Sequence, residues 1–135
     1  MREIKVLVVD DEERFLTSIS KLLTKRDCQV STASSGQRAL GVLKEKFVDV
    51  MVLDLKMPGL DGIGTLKEAK KLSPTVEIIM LTGHGTVDTA VEAIQLGAFD
   101  YLMKPCSLEE LFEKIKEAAD RKWIIEDKIR KEGDK

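Results

Sequence analysis

Residues 76–105 read VEIIMLTGHGTVDTAVEAIQLGAFDYLMKP. An apolar run, Val76–Leu81, opens the stretch, and a second short one, Tyr101–Met103, closes it before Lys104-Pro105. Between them the residues of 86–96 have helical spacing and stop at Gly97, a residue suited to a left-handed position at a helix C-terminus. Strand, helix and strand in that order make a parallel pair, because parallel strands need a crossover of helix length.

The same unit repeats toward the N-terminus. Apolar runs at Ile4–Val9, Cys28–Ala33 and Asp49–Leu53 alternate with helix-length stretches at roughly 12–26, 35–46 and 62–72, and a last helix is expected over roughly 107–131. The first, third and fourth runs are nearly continuous Val, Ile, Leu and Met, as in strands covered by helices on both faces. In the second helix Ala39, Leu40, Val42, Leu43 and Phe47 supply one apolar stripe. Pro58-Gly59 and Ser73-Pro74 mark loops. Five βα units predict an α/β fold, a doubly wound five-stranded parallel sheet of the flavodoxin-like (βα)5 kind. The expected strand order is 2-1-3-4-5, with helices 1 and 5 on one face and the other three opposite. Chain direction reverses between strands 1 and 3, so a site is expected beyond the carboxyl ends of the strands there.

With 135 residues the chain fits one domain. Lys and Arg number 22 against 24 Asp and Glu, for a net charge of -2. That leaves no global basic field for direct nucleic acid contact. Cys28 and Cys106 lie far apart, form no zinc pattern and are read as reduced thiols. No apolar run approaches a membrane span, and Met-Arg-Glu-Ile-Lys enters a strand without signal-peptide architecture, so a cytoplasmic protein is expected.

Strand 1 ends in Asp10, Asp11 and Glu12, and strand 3 ends in Asp54. Folding as predicted gathers Asp10, Asp11 and Asp54 into one pocket. Two carboxylates about 4 Å apart repel by roughly 4 kcal/mol at an effective dielectric near 20. A hard divalent cation relieves that repulsion, and an all-oxygen site with few protein ligands suits Mg²⁺. Each Asp alone would more often be a helix cap or loop carboxylate, and Glu12 or Glu13 is open to a capping role only. Thr82-Gly83 and Lys104-Pro105 bring a hydroxyl and a cation to the same rim. A carboxylate nucleophile, a metal, a hydroxyl and an ammonium are what in-line phosphoryl transfer to Asp requires. Two rivals fit less well. A flavodoxin-like carrier needs a Ser-, Thr- and Gly-rich phosphate loop where this chain has Asp-Asp-Glu, and an aspartyl phosphatase needs Asp-x-Asp after strand 1.

The strings VLVVDDE, MVLDLKMPGLDG, IIMLTGHG and DYLMKP resemble the response-regulator receiver family of two-component signalling, across residues 3 to 121. The wording from Leu81 to Cys106 looks most like receivers of nitrogen-regulation (NtrC-type) activators, which act with an alternative sigma factor. The resemblance implies a receiver over 1–121 that accepts a phosphoryl group on Asp54 from a sensor histidine kinase and controls an output domain outside this chain. It implies Mg²⁺ at Asp10, Asp11, Asp54 and the backbone carbonyl of Lys56, and no other cofactor. It implies Lys104 and Thr82 as partners of the phosphoryl group, Tyr101 as an aromatic that changes rotamer, and a cis peptide at Lys104-Pro105. Such a domain is not an enzyme beyond its own phosphorylation and dephosphorylation. A stand-alone receiver acting by phospho-dependent protein binding is the alternative. By the residues alone Tyr101 is read instead as a half-buried strand aromatic. His84, the one histidine, is read as a loop residue that influences water access, as is Lys56. Met51, Met57, Met80 and Met103 are read as packing.

The fifth helix, capped by Ser107 with Glu110 three positions on, runs without Pro or Gly to Glu132 and outgrows the sheet, which is expected to cover only its first half, where Leu108, Leu111, Phe112 and Ile115 supply an apolar stripe. Residues 122–135 are expected as an extension serving dimerisation or linkage. Leu111, Ala118 and Ile125 stand at heptad spacing, and Lys122 interrupts the series from Ile115 to Ile129. A homodimer through this helix, or through the face of helix 4, strand 5 and helix 5, is the expectation.

Overall fold

The computed structural model describes residues 2–133. Its elements are β1 (Ile4–Val9), α1 (Glu13–Thr24), β2 (Cys28–Ala33), α2 (Gly36–Glu45), β3 (Val50–Leu53), α3 (Gly62–Leu72), β4 (Glu77–Thr82), α4 (Val87–Gln95), β5 (Asp100–Met103) and α5 (Leu108–Gly133). All neighbouring strands pair in parallel, and the sheet order is β2-β1-β3-β4-β5, as predicted.

The unbroken apolar runs have a direct cause. Successive side chains of a strand point to opposite faces, and here both faces are covered. Val6, Val8, Val50, Val52, Ile79 and Leu81 point into one core with Leu16, Ile19 and Leu23 of α1 and Leu111 and Ile115 of α5. Their chain neighbours Leu7, Val9, Met51, Leu53, Ile78 and Met80 point into a second core with Ala39 of α2, Leu66 and Ala69 of α3 and Ala93 of α4. The expected division of helices, two against three, is therefore present. Leu7, Leu53 and Met80 are wholly buried, and truncating such a side chain to alanine costs about 2–5 kcal/mol.

The helix starts are polar. Ser35 Oγ accepts from Arg38 N, Asp61 Oδ1 from Gly64 N and Ser107 Oγ from Glu110 N. Gly97 has φ +105° just after α4, the left-handed conformation expected of it. Lys104-Pro105 is cis, as the resemblance implied.

Three local expectations change. Glu12 sits at the N-cap of α1 but its side chain caps nothing. Phe47 is not on the stripe of α2, because the helix ends at Glu45 and the extended backbone of Lys46 carries Phe47 outward to 88% exposure. Met51, Met57 and Met80 are core residues, whereas Met103 stands exposed at the end of β5.

Leu111 and Ile115 of the fifth helix are buried against the sheet, as expected of its first half, and Ala118 of the heptad series is buried there with them. The later part of the helix differs most. Lys122, which interrupts the apolar pattern, is buried too, and its ammonium lies 3.2 Å from Asp49 and 2.8 Å from Glu126. Trp123 Nε1 donates to Asp49 Oδ1 at 3.1 Å, and Thr75 Oγ1 donates to Glu126 Oε2 at 2.8 Å. Contact with the base of the sheet thus runs past residue 121 to Glu126. Nearby, Glu77 is buried with Lys70 and Arg121 at its carboxylate. Burial raises its pKa against the lowering pull of the two cations, and burial likewise lowers that of Lys70.

Candidate acidic phosphoryl-acceptor site

The strand ladders continue one residue past the strands and so fix the acidic site. Asp10 N donates to Ala33 O at 3.1 Å, Asp54 N to Val9 O at 3.0 Å and Lys104 N to Thr82 O at 2.9 Å. Asp10, Asp54 and Lys104 are thereby set side by side at the carboxyl edge. Beneath Asp54, Gly62 at the start of α3 donates its N–H to Leu55 O at 2.8 Å. A Cβ at Gly62 would overlap the Asp54 carbonyl and stand 2.6 Å from Leu55 Cα, so only glycine lets α3 approach the acceptor strand this closely.

Asp10, Asp11 and Asp54 each present a carboxylate oxygen within 4.8 Å of the others. Asp10 and Asp54 are buried and Asp11 is exposed. Asp10 Oδ1 accepts from Glu12 N at 2.9 Å, and Oδ2 accepts from Lys104 Nζ at 2.6 Å. Asp54 Oδ1 is buried and has no hydrogen-bond partner among the described residues. A buried carboxylate oxygen without a donor is costly inside a protein, and a cation among the three acids would satisfy it. An all-oxygen set of carboxylates suits a hard divalent ion. The donor set therefore fits Mg²⁺.

Lys56 and Met57 on one side, and Gly83 and His84 on the other, complete the rim of an open pocket of about 580 Å³. Lys56 and His84, paired in the sequence by their offset from Asp54 and Thr82, share this rim. A methyl group at Gly83 would meet only Lys104 Cβ at 3.9 Å, so packing alone does not demand glycine there.

The remaining predicted residues lie nearby in a particular arrangement. Lys104 engages Asp10 rather than Asp54, and its ammonium also lies 4.2 Å from the centre of the Phe15 ring. Thr82 is fully buried, and its hydroxyl accepts from His84 N at 3.1 Å. Tyr101 is half-buried, packs on the second core and bonds Thr89 rather than Thr82. Sequence reasoning did not assign Phe15, Gly62 or Thr89. Gly62 stood in the quoted string MVLDLKMPGLDG, so its signal was present. Phe15 had no signal beyond helical spacing. Neither cysteine is primed for chemistry. Burial, with Asp27 and Glu3 nearby, pushes the Cys28 thiol up to about 11, and burial with the Glu110 carboxylate also raises Cys106.

Residues 6–116 match the family model described as response regulator receiver domain. The transcriptional regulatory protein ZraR of Salmonella typhimurium is 41% identical over 116 residues, covering 86% of this chain and 26% of that protein. The chain therefore spans about a quarter of the length of such relatives. A receiver domain protein from Clostridium thermocellum has a similar structure, with a TM-score of 0.86 and 41% identity over 90% of this chain and 98% of that one. The beryllofluoride-activated NtrC4 receiver domain dimer has a TM-score of 0.82 and 42% identity, covering 87% and 98%.

Proposed function

The chain belongs to the response regulator receiver family, and from that premise we propose that Asp54 takes up a phosphoryl group from a phosphohistidine on a sensor histidine kinase. One Asp54 carboxylate oxygen attacks phosphorus, the P–O bond forms as the P–N bond breaks, and the electron pair returns to the imidazole nitrogen. The observation that carries this is the buried, unpartnered oxygen of Asp54 within 4.8 Å of two further carboxylates at the switch point of the sheet. Asp10, Asp11, Asp54 and the carbonyl of Lys56 would hold Mg²⁺, which supplies charge neutralisation for the transferring group. Lys104 leaves Asp10 to pair with the phosphoryl oxygens, and the Thr82 hydroxyl turns toward them. Tyr101 then changes rotamer and reshapes the face of α4, β5 and α5. That is a shift between two states of the chain, driven by what the phosphoryl group binds in one of them.

The conformational change passes to an output region outside these residues and controls transcription. The name of ZraR and the quarter of its length matched here support this over a stand-alone role. The domain works in the cytoplasm, and its only catalysis is its own phosphorylation and dephosphorylation. Among the described residues no helix is long and apolar enough to cross a membrane. Homodimerisation uses the far end of α5, where Ile124 and Ile129 are exposed, or the exposed Val87, Val91 and Ile94 of α4 with Met103 of β5. The dimer of the NtrC4 receiver supports that expectation.

The test is incubation with Mg²⁺ and acetyl phosphate, read by intact mass. Wild type gains one phosphoryl group and folded Asp54→Ala gains none. Labelling of the variant at the wild-type level would place the acceptor elsewhere.

A further inference from the structure

Tyr101 ends against the first turn of α4, in a seat made by two residues with no role so far. Its hydroxyl lies 3.1 Å from Thr89 Oγ1. On the other side is Gly85, where a Cβ would overlap the Tyr101 hydroxyl and stand 2.7 Å from Cζ and 2.9 Å from Cε1 of the ring. Any side chain at residue 85 would therefore expel the ring or displace the loop.

The Thr89 hydroxyl is also half of the cap of α4. Thr86 Oγ1 accepts from Thr89 N at 3.1 Å, and Thr89 Oγ1 accepts from Thr86 N at 2.9 Å. A threonine hydroxyl has one proton to give and two lone pairs. Its shorter contact to an acceptor is Thr86 O, at 2.9 Å, so its proton goes there. Thr86 N–H takes one lone pair, and the other faces both the Thr86 hydroxyl at 3.2 Å and the Tyr101 hydroxyl at 3.1 Å. Tyr101 is thus hydrogen-bonded to the capping box that starts α4.

We propose that Gly85 and Thr89 are positioning residues that form the berth of Tyr101 in the unphosphorylated chain, so that the capping box of α4 senses whether the ring is present. On the roles given to Lys104 and Thr82 above, the Lys104–Asp10 pair and the Thr82–His84 bond belong to the unphosphorylated arrangement. The proposal rests on the switch role given to Tyr101 above. Leaving the berth strips one bond from the Thr89 hydroxyl, and the first turn of α4, with exposed Val87, is the part that loosens.

The chain contains one tyrosine, so 3-fluorotyrosine gives a single ¹⁹F resonance that reports this ring alone. In wild type the resonance should move on adding Mg²⁺ and beryllofluoride. Gly85→Ala should displace it with neither present, and equally in an Asp54→Ala background. Thr89→Val keeps the shape and deletes the hydroxyl. Since one neutral hydrogen bond is worth about 1 kcal/mol, Thr89→Val should raise the ratio of departed to seated ring about fivefold. Its resonance then shifts part-way toward the beryllofluoride position. Thr89→Ser restores the hydroxyl and should restore the wild-type resonance. Resonances of Gly85→Ala and Thr89→Val at the wild-type position would overturn the berth. A wild-type resonance that ignores beryllofluoride, while Asp54 still takes up phosphoryl mass, would overturn the coupling and leave the acceptor assignment standing.

Discussion

Replacing Asp49 with alanine is expected to destabilise the domain by about 3–5 kcal/mol, the range for breaking a buried ion pair by removing one partner. The site lies at the opposite end of the sheet from the acidic pocket, where β3 begins. Asp49 Oδ2 accepts from Lys5 N at 2.8 Å, and Oδ1 from Trp123 Nε1 at 3.1 Å, with the Lys122 ammonium 3.2 Å away. Alanine strips all three at once. A buried donor left unsatisfied costs about 1–3 kcal/mol, and Lys5 N–H and the indole N–H are two such donors. Lys122, with a side chain only 10% exposed, keeps just Glu126. These terms overlap, because water entering at the rim would serve several of the orphaned groups together, so the total stays near the buried-pair range. For a chain of this size that is a fall in Tm of about 10–18 °C. Urea unfolding followed by far-ultraviolet circular dichroism measures it without relying on Trp123, whose own bond is removed. Lys122→Met tests the cause. With the ammonium gone as well, the double variant should lose at least about 1 kcal/mol less than the sum of the single losses, as expected of residues in one network. A loss below about 1 kcal/mol for Asp49→Ala, or strict additivity in the cycle, would refute the claim that this network anchors α5 to the sheet.

Mg²⁺ at 100 times its dissociation constant should stabilise wild type by roughly 2.7 kcal/mol, and an unchanged melting temperature would argue against the metal site. Asp11→Asn removes one of three clustered carboxylates, so calorimetry should show weaker Mg²⁺ binding together with higher metal-free stability. Lys104→Ala should retain some labelling from acetyl phosphate while the spectral response to it is lost, and a full response would mean that the ammonium is not needed for switching. The pKa of Glu77 is raised above its ordinary 4.5 by burial, so the folded chain binds more protons than the unfolded chain just above that pH. Its stabilisation is complete below 4.5 and is lost as pH rises through the folded value. Urea titrations should therefore show Glu77→Gln gaining on wild type between pH 4 and pH 7, and a change of the opposite sign would overturn the assignment. Ile124→Lys with Ile129→Lys should lower self-association in sedimentation if the end of α5 carries the dimer, and an unchanged sedimentation profile would point to the α4–β5–α5 face.

The alternation of apolar runs and helical stretches was enough to read five strands, five helices and the sheet order. Binary pattern reports which backbone period a segment can bury, and right-handed crossovers leave few topologies. The acidic site was legible for a related reason. Asp10, Asp54, Thr82 and Lys104 all stand at strand ends, so knowing the strands and their order already gathers them at one rim. Which partner each side chain takes was not legible. Lys104 lies on Asp10 across 94 residues and Trp123 on Asp49 across 74, and the Tyr101 hydroxyl is held by Thr89 above Gly85. Such choices depend on rotamers and on the distance between packed elements, which no local pattern records. The same holds for part of α5. Leu111 and Ile115 were legible as the stripe that the sheet covers, whereas the heptad position of Ala118 fits a partner helix and a sheet equally well, and the tertiary structure decided by placing it on the chain's own core. Lys122 looked like a break in an apolar seam because sequence pattern counts a lysine as surface. Only the fold supplies the buried carboxylate of Asp49 that lets its ammonium lie inside.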